Sequence, residues 1–155
     1  MKGFLYGQTE YNLLNNSIHL NDYINKAKES HFTFLSITDK NLYGSYKFYN
    51  ECKKSNIKPI IGLELKYKDD DNYESIVLAY AKDNNGYKNL LKLSTFKNTN
   101  ELTNVLETLV KYQEGLAYVF VLDKSIIERY FISKAYKELD YKLDEISNLN
   151  DVYIG

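Results

Sequence analysis

From Phe4 to Ile154 short β-branched or aromatic runs alternate with segments whose apolar residues recur at helical spacing. That alternation limits the chain to α/β architectures made of repeated βα units with mostly parallel strands. A first strand is expected over residues 4–9. Leu20, Tyr23, Ile24 and Ala27 then share one helical face, with Asn21 as candidate N-cap. A second strand is expected over residues 33–38. Gly44 and Ser45 open a second helix with Phe48, Tyr49 and Cys52 inward, and with Lys53 and Lys54 in its last turn, where cations suit the helix dipole. Pro59 blocks helical continuation ahead of a third strand over residues 60–67.

Asp69, Asp70, Asp71 and Asn72 read as a solvated turn before a strand over residues 75–81. Asp83 or Asn84 can cap a helix carrying Tyr87, Leu90 and Leu91. Leu102, Val105, Leu106, Leu109 and Val110 form a further helical stripe that ends at Gly115. Residues 116–122 are apolar on both faces, as in a buried parallel strand. Ser133 is expected to cap a last helix with Tyr136, Leu139, Leu143 and Ile146 inward, and Val152, Tyr153 and Ile154 begin a sixth strand. No Gly/Ser-rich linker interrupts the pattern, so residues 1–155 are expected to form one domain. The sixth strand has no covering helix after it, and the chain is expected to be part of a longer one.

Charge narrows the function. Twenty basic residues face 21 acidic ones, and Arg129 is the one arginine. Arginine is the preferred fork for phosphates and guanine edges, so direct DNA readout is a poor fit, with local lysine patches left open. A single cysteine, Cys52, excludes an internal disulfide and a multi-cysteine metal site; on a helix's apolar face it reads as a small core residue. The N-terminal residues lack a signal-peptide apolar region, and the run at 116–122 is too short to span a bilayer, so a cytoplasmic location without membrane partners is expected. The tyrosines are spread over every element, which suits core and rim packing better than base stacking.

Four stretches then carry a resemblance. Gln8-Thr9-Glu10-Tyr11-Asn12-Leu13-Leu14-Asn15-Asn16 is similar to an opening motif His-x-His-[Ser/Thr] followed by Tyr-Ser-Leu-Leu. Ser36-Ile37-Thr38-Asp39-Lys40-Asn41-Leu42-Tyr43-Gly44, with Lys47-Phe48-Tyr49-Asn50-Glu51-Cys52, is similar to Ile-Thr-Asp-His-Gly-Asn-Leu-Phe-Gly and Glu-Phe-Tyr-x-x-Cys. Asn56-Ile57-Lys58-Pro59-Ile60-Ile61-Gly62-Leu63-Glu64 matches Gly-Ile-Lys-Pro-Ile-Ile-Gly-x-Glu. Ala81-Lys82-Asp83-Asn84-Asn85-Gly86-Tyr87-Lys88-Asn89-Leu90 matches Ala-Lys-Asn-x-x-Gly-Tyr-x-Asn-Leu. Each is weak alone, but four in register are specific. Over about the first hundred positions the chain resembles the PHP domain of bacterial DNA polymerase III alpha subunits, of the DnaE type found in low-GC Gram-positive bacteria.

The resemblance implies a partial, distorted TIM-like (PHP) barrel with metal-ligand positions at the C-terminal ends of the strands. The two opening histidines fall on Tyr6 and Gln8, which remain two apart and so share a side of the strand. The histidine of the Asp-His pair falls on Lys40, and a later one on Ile76. Asp39 and Glu64 are retained. Two carboxylates without imidazole could hold one weak Mg²⁺, not the His-rich multinuclear site that hydrolyses phosphoesters. A degenerate metal site is therefore expected, with no cofactor and no catalytic residue in this segment. Lys40 is a candidate stand-in for the metal, its ammonium facing Asp39 and Glu64.

Plainer roles stand beside these. Asp39 can serve as a loop cap, and Glu64, alternating with apolar residues, can face solvent. His19 and His31 lie off the ligand positions and read as surface or capping residues. The expected function is a noncatalytic, structural PHP segment packed against the remainder of an alpha subunit. The parent would synthesise DNA in replication with Mg²⁺ held outside this chain, and would meet DNA and the replication machinery there. The rivals are an active metal-dependent phosphoesterase or proofreading exonuclease, and a free-standing interaction module. Open strand edges lead one to expect self-association of the isolated chain.

Overall fold

Two βα units open the chain in the computed structural model, which describes residues 2–12, 18–68, 73–98 and 105–155. The expected turn at residues 69–72, Leu102 and motif residues 13–16 lie outside these. The chain forms two compact units, Met1–Glu64 and Leu65–Gly155, and in each the strand order follows chain order.

The first unit contains β1 (Gly3–Phe4), α1 (Leu20–Glu29), β2 (Phe34–Ile37), α2 (Ser45–Lys54) and most of β3 (Lys58–Lys68). β1 pairs parallel to β2, with Gly3 opposite Phe34, and β2 pairs parallel to β3, with Ile37 opposite Ile61. Leu20, Ile24 and Ala27 of α1 meet Leu35 and Ile37 of β2 and Phe48 and Cys52 of α2 in one core. Their spacing puts each set on one face, and burying a Leu, Ile or Phe contributes about 1.5–3 kcal/mol. Two expectations need correction. Asn21 is not the cap of α1, because His19 occupies that position. Tyr49 is 47% exposed rather than inward, since it lies a quarter-turn off the stripe of Ser45, Phe48 and Cys52.

Both helices stop the same way. Phe32 N–H bonds to Ala27 O and His31 N–H to Lys28 O; Ile57 N–H bonds to Cys52 O and Asn56 N–H to Lys53 O. These are Schellman closures, with His31 (φ 56°) and Asn56 (φ 59°) in the left-handed position. Each closure feeds the chain directly into the next strand, so the start of β2 and β3 is set by how the helix ends.

The second unit contains β4 (Glu74–Ala81), α3 (Asn84–Asn98), α4 (Val105–Lys111), β5 (Leu116–Phe120), α5 (Ile126–Ile132), α6 (Tyr136–Ser147) and β6 (Val152–Ile154). Asp83 caps α3 by accepting from Gly86 N–H at 2.8 Å. Gly115, at φ 71°, turns the chain into β5. β5 pairs parallel to β6 but antiparallel to β4, so the expected all-parallel setting of this strand is wrong. Its burial alternates residue by residue, as in a strand with one buried and one partly covered face. Leu91 and Val110 are more exposed than their helical stripes suggested.

The last helical region is two helices, not one. Ser125 caps α5 by accepting from Glu128 N–H, and Ser133, expected to begin the final helix, instead ends α5. In α6 the buried residues are Lys142 and Ile146, whereas Tyr136 is 55% exposed. The Lys142 ammonium reaches the Glu145 carboxylate at 2.6 Å, which satisfies the charge of a lysine whose stem is covered.

Candidate functional site

In the first unit the segments leaving β1 and β2 and the second half of β3 place Tyr6, Gln8, Asp39 and Glu64 together. Backbone bonds extend the parallel pairing past the regular strands: Thr38 N–H to Gly7 O, and Glu64 N–H to Asp39 O at 3.1 Å. Tyr6 and Gln8, two residues apart, point the same way and meet one atom. The Tyr6 hydroxyl donates to Glu64 Oε2 at 2.8 Å, and the Gln8 carboxamide donates to the same oxygen at 2.5 Å. Glu64 is 2% exposed, so it faces the site and not solvent.

Asp39 is fully buried and is held separately. Thr9 gives it two hydrogen bonds, backbone N–H to Oδ1 and hydroxyl to Oδ2, each 2.6 Å. The aspartate thus caps a backbone amide, but that of the segment after β1, thirty residues away, rather than a local one. Thr9 is the residue that sequence reasoning missed. It stands at the Ser/Thr position of the opening motif, which was the available signal.

The electrostatics follow from burial. Asp39 has its pKa raised, chiefly because burial penalises its charge; the two bonds from Thr9 pull it down, and the charge of Glu64 pushes it further up. The Tyr6 phenol is pushed up to about 12 by burial, then by its bond to Glu64 and the charge there. Tyr6 is therefore a neutral donor at ordinary pH, not the phenolate a metal would need.

Lys40 follows Asp39 and is half-buried. Ile76 sits in β4 of the second unit, half-buried, and its carbonyl accepts from Val121 N–H at 3.0 Å; its side chain carries no donor atom for a metal. His19 occupies the N-cap position of α1 without a capping side-chain bond and pairs through Nδ1 with Glu10, and His31 is the left-handed residue after α1. Cys52 is buried in the core and its thiol is pushed up to about 12 by burial.

These residues do not fit a PHP metal centre. Among the described residues no three His, Cys, Asp or Glu side chains converge where they could hold an ion. Glu64 Oε2 already accepts from two neutral donors, and both Asp39 oxygens accept from Thr9. The positions that would offer lone pairs to a metal here offer hydrogens to carboxylates. Chemically the arrangement ties the segment after β1 to β3 and to the segment after β2 through side-chain hydrogen bonds.

The profile of the PHP domain family matches residues 6–154. A DNA polymerase III subunit alpha of Halalkalibacterium halodurans is 38% identical over 119 residues, covering 74% of this chain and 11% of that protein. One from Staphylococcus aureus is 36% identical over 160 residues, covering 99% of this chain and 15% of that protein. The chain thus spans between about a tenth and a seventh of the length of these relatives. Among solved structures, one from Bifidobacterium adolescentis, described as a candidate metal-dependent phosphoesterase, aligns over 98% of this chain and 76% of its own with a TM-score of 0.57 and 10% identity. That likeness is one of fold, and it agrees with a partial TIM-like α/β architecture.

Proposed function

The chain belongs to the PHP domain family, and from that premise we propose that it is a noncatalytic, structural PHP segment of a DNA polymerase III alpha subunit. The observation that carries this reading is the convergence of Tyr6 and Gln8 on Glu64 Oε2. A metal in such a site joins strand ends by drawing several ligands onto one ion. Here hydrogen bonds between oppositely polarised side chains join the same strand ends without one, and the geometric cross-link persists while the hydrolytic chemistry is lost.

On this reading the parent protein carries out DNA-directed DNA synthesis in replication, with its Mg²⁺ held by residues outside this chain. The PHP segment packs against the remainder of that subunit, in the cytoplasm.

Metal analysis of the purified chain, paired with thermal unfolding in EDTA and in Zn²⁺ or Mn²⁺, tests the proposal. We expect substoichiometric metal and a Tm that none of these additions moves. Stoichiometric zinc or manganese, with a Tm that collapses in EDTA, would overturn it in favour of a metal-dependent phosphoesterase.

A further inference from the structure

Charge in this chain is nearly balanced, yet α3 carries Lys88, Lys92 and Lys97 and no Asp or Glu. Two ammonium groups are also gathered about one ring: Lys92 Nζ lies 5.1 Å and Lys111 Nζ 5.4 Å from the centroid of Tyr112. The Phe96 ring lies 5.4 Å from the same ring at a tilt of 31°. Lys92 is further oriented by Asn89. The Asn89 oxygen accepts from Lys92 Nζ at 3.1 Å, while its amide donates to Glu114 O at 2.9 Å. Asn89 is 9% exposed, so this is a packed support and not a loose surface contact.

Neither Lys92 nor Lys111 has a carboxylate partner among the described residues. A tyrosine face offsets about 0.5–1 kcal/mol per cation at an exposed site, but it removes no charge. Lys88, one turn before Lys92 on the same helix face, adds a third like charge, and like charges at that spacing oppose each other. A group of cations held by neutral partners is relieved by an anion. Lysine binds phosphate as a point charge, with three donors free to rotate onto its oxygens.

We propose that Lys92 and Lys111, gathered around Tyr112, together with Lys88 one turn earlier on α3, form a binding site for a phosphate-type oxyanion. This site lies in the second unit, uses none of the PHP metal positions, and does not depend on the structural reading above. The oxyanion could be a free phosphate or the phosphodiester of a single-stranded polynucleotide, which share the chemistry the lysines recognise.

The test is an amide ¹H–¹⁵N NMR titration of the 155-residue chain with inorganic phosphate in one arm and a twelve-residue oligothymidylate in the other. Saturable shifts centred on Lys92, Lys111 and Tyr112 are expected, with at least a tenfold loss of affinity in K92Q/K111Q. K92R/K111R should retain binding, and K53Q/K54Q on α2 should be unaffected. Much tighter binding of the oligomer, with a log–log salt slope of about −0.7 per phosphate engaged, assigns the phosphodiester; similar affinity per phosphate assigns the free ion. Shifts spread evenly over all lysines, no saturation in either arm, or undiminished binding by K92Q/K111Q would overturn the proposal.

Discussion

The Tyr6 hydroxyl donates to Glu64 Oε2 across 2.8 Å, joining residues 58 positions apart in the chain. Removing that hydroxyl leaves the Gln8 carboxamide donating to the same oxygen. Tyr6→Phe is therefore expected to cost about 1 kcal/mol, the ordinary net worth of such a bond at a partly exposed site. Y6F/Q8L removes both donors from a buried carboxylate and should cost more than the sum of the single changes, by about 1 kcal/mol or above. Urea midpoints of the four proteins close this cycle, and strict additivity would show that the two donors do not act on one acceptor.

Asp39 sets a pH dependence that favours the folded chain toward acid. Its folded pKa is raised, so the folded state holds that proton more tightly than the unfolded state. Its contribution to stability is then fully present below the ordinary aspartate value and is lost as pH rises through the raised one. Asp39→Asn removes this titration. The stability of the native chain relative to D39N should improve as pH falls from neutral toward 4, as measured by urea unfolding at matched ionic strength. A relative decline over that range would mean that the bonds from Thr9 outweigh burial.

Gly7 is required by a close approach. A Cβ there would lie 2.0 Å from the Tyr23 hydroxyl and 2.5 Å from Ser36 O, two atoms already bonded to each other at 2.9 Å. Gly7→Ala should destabilise the chain by about 2–3 kcal/mol through overpacking. Tyr23→Phe removes the nearest obstacle, though the ring carbon at 2.6 Å and Ser36 O remain. G7A/Y23F should therefore be somewhat less destabilised than the sum of its parts. Thermal unfolding reads the difference.

The Ser125 hydroxyl accepts from Glu128 N–H at 3.2 Å, and Glu128 accepts in return from Lys124 N–H at 2.8 Å. Ser125→Ala should cost about 1 kcal/mol, the usual loss of an N-cap. Hydrogen exchange would show that loss first in the amides of α5.

This capped helix also marks where the sequence was harder to read. Ser125-Ile126-Ile127-Glu128 has the spacing of a capping box, but α5 is only two turns long, too short for an apolar period to stand out. The register of α6 was hidden differently: Lys142 is buried, and a reading that seeks apolar residues inside cannot place a lysine whose charge is met by Glu145. The core of the first unit was legible because Leu20, Ile24, Ala27, Phe48 and Cys52 repeat at helical spacing. The site was legible in part. Spacing put Tyr6 and Gln8 on one side, and the retained carboxylates came from the resemblance. The bond from Thr9 to Asp39 depends on how two strand ends lie side by side, which no local pattern contains.

The strongest test of the cross-link runs the substitution backwards. Tyr6 and Gln8 both reach Glu64, so imidazoles at those positions would face a carboxylate already in place. Y6H/Q8H supplies two nitrogen ligands beside Glu64, with Asp39 close behind, a donor set suited to tetrahedral zinc. It also deletes the two donors that now occupy Glu64 Oε2, so the variant should be less stable than the native chain when metal is absent. Added Zn²⁺ at about a hundred times its Kd would restore about 2.7 kcal/mol by mass action, while leaving the native chain unmoved. A variant whose Tm ignores zinc would show that the strand ends no longer hold the spacing of a metal site. A native chain whose Tm rises with zinc would show that Tyr6 and Gln8 yield to the ion after all.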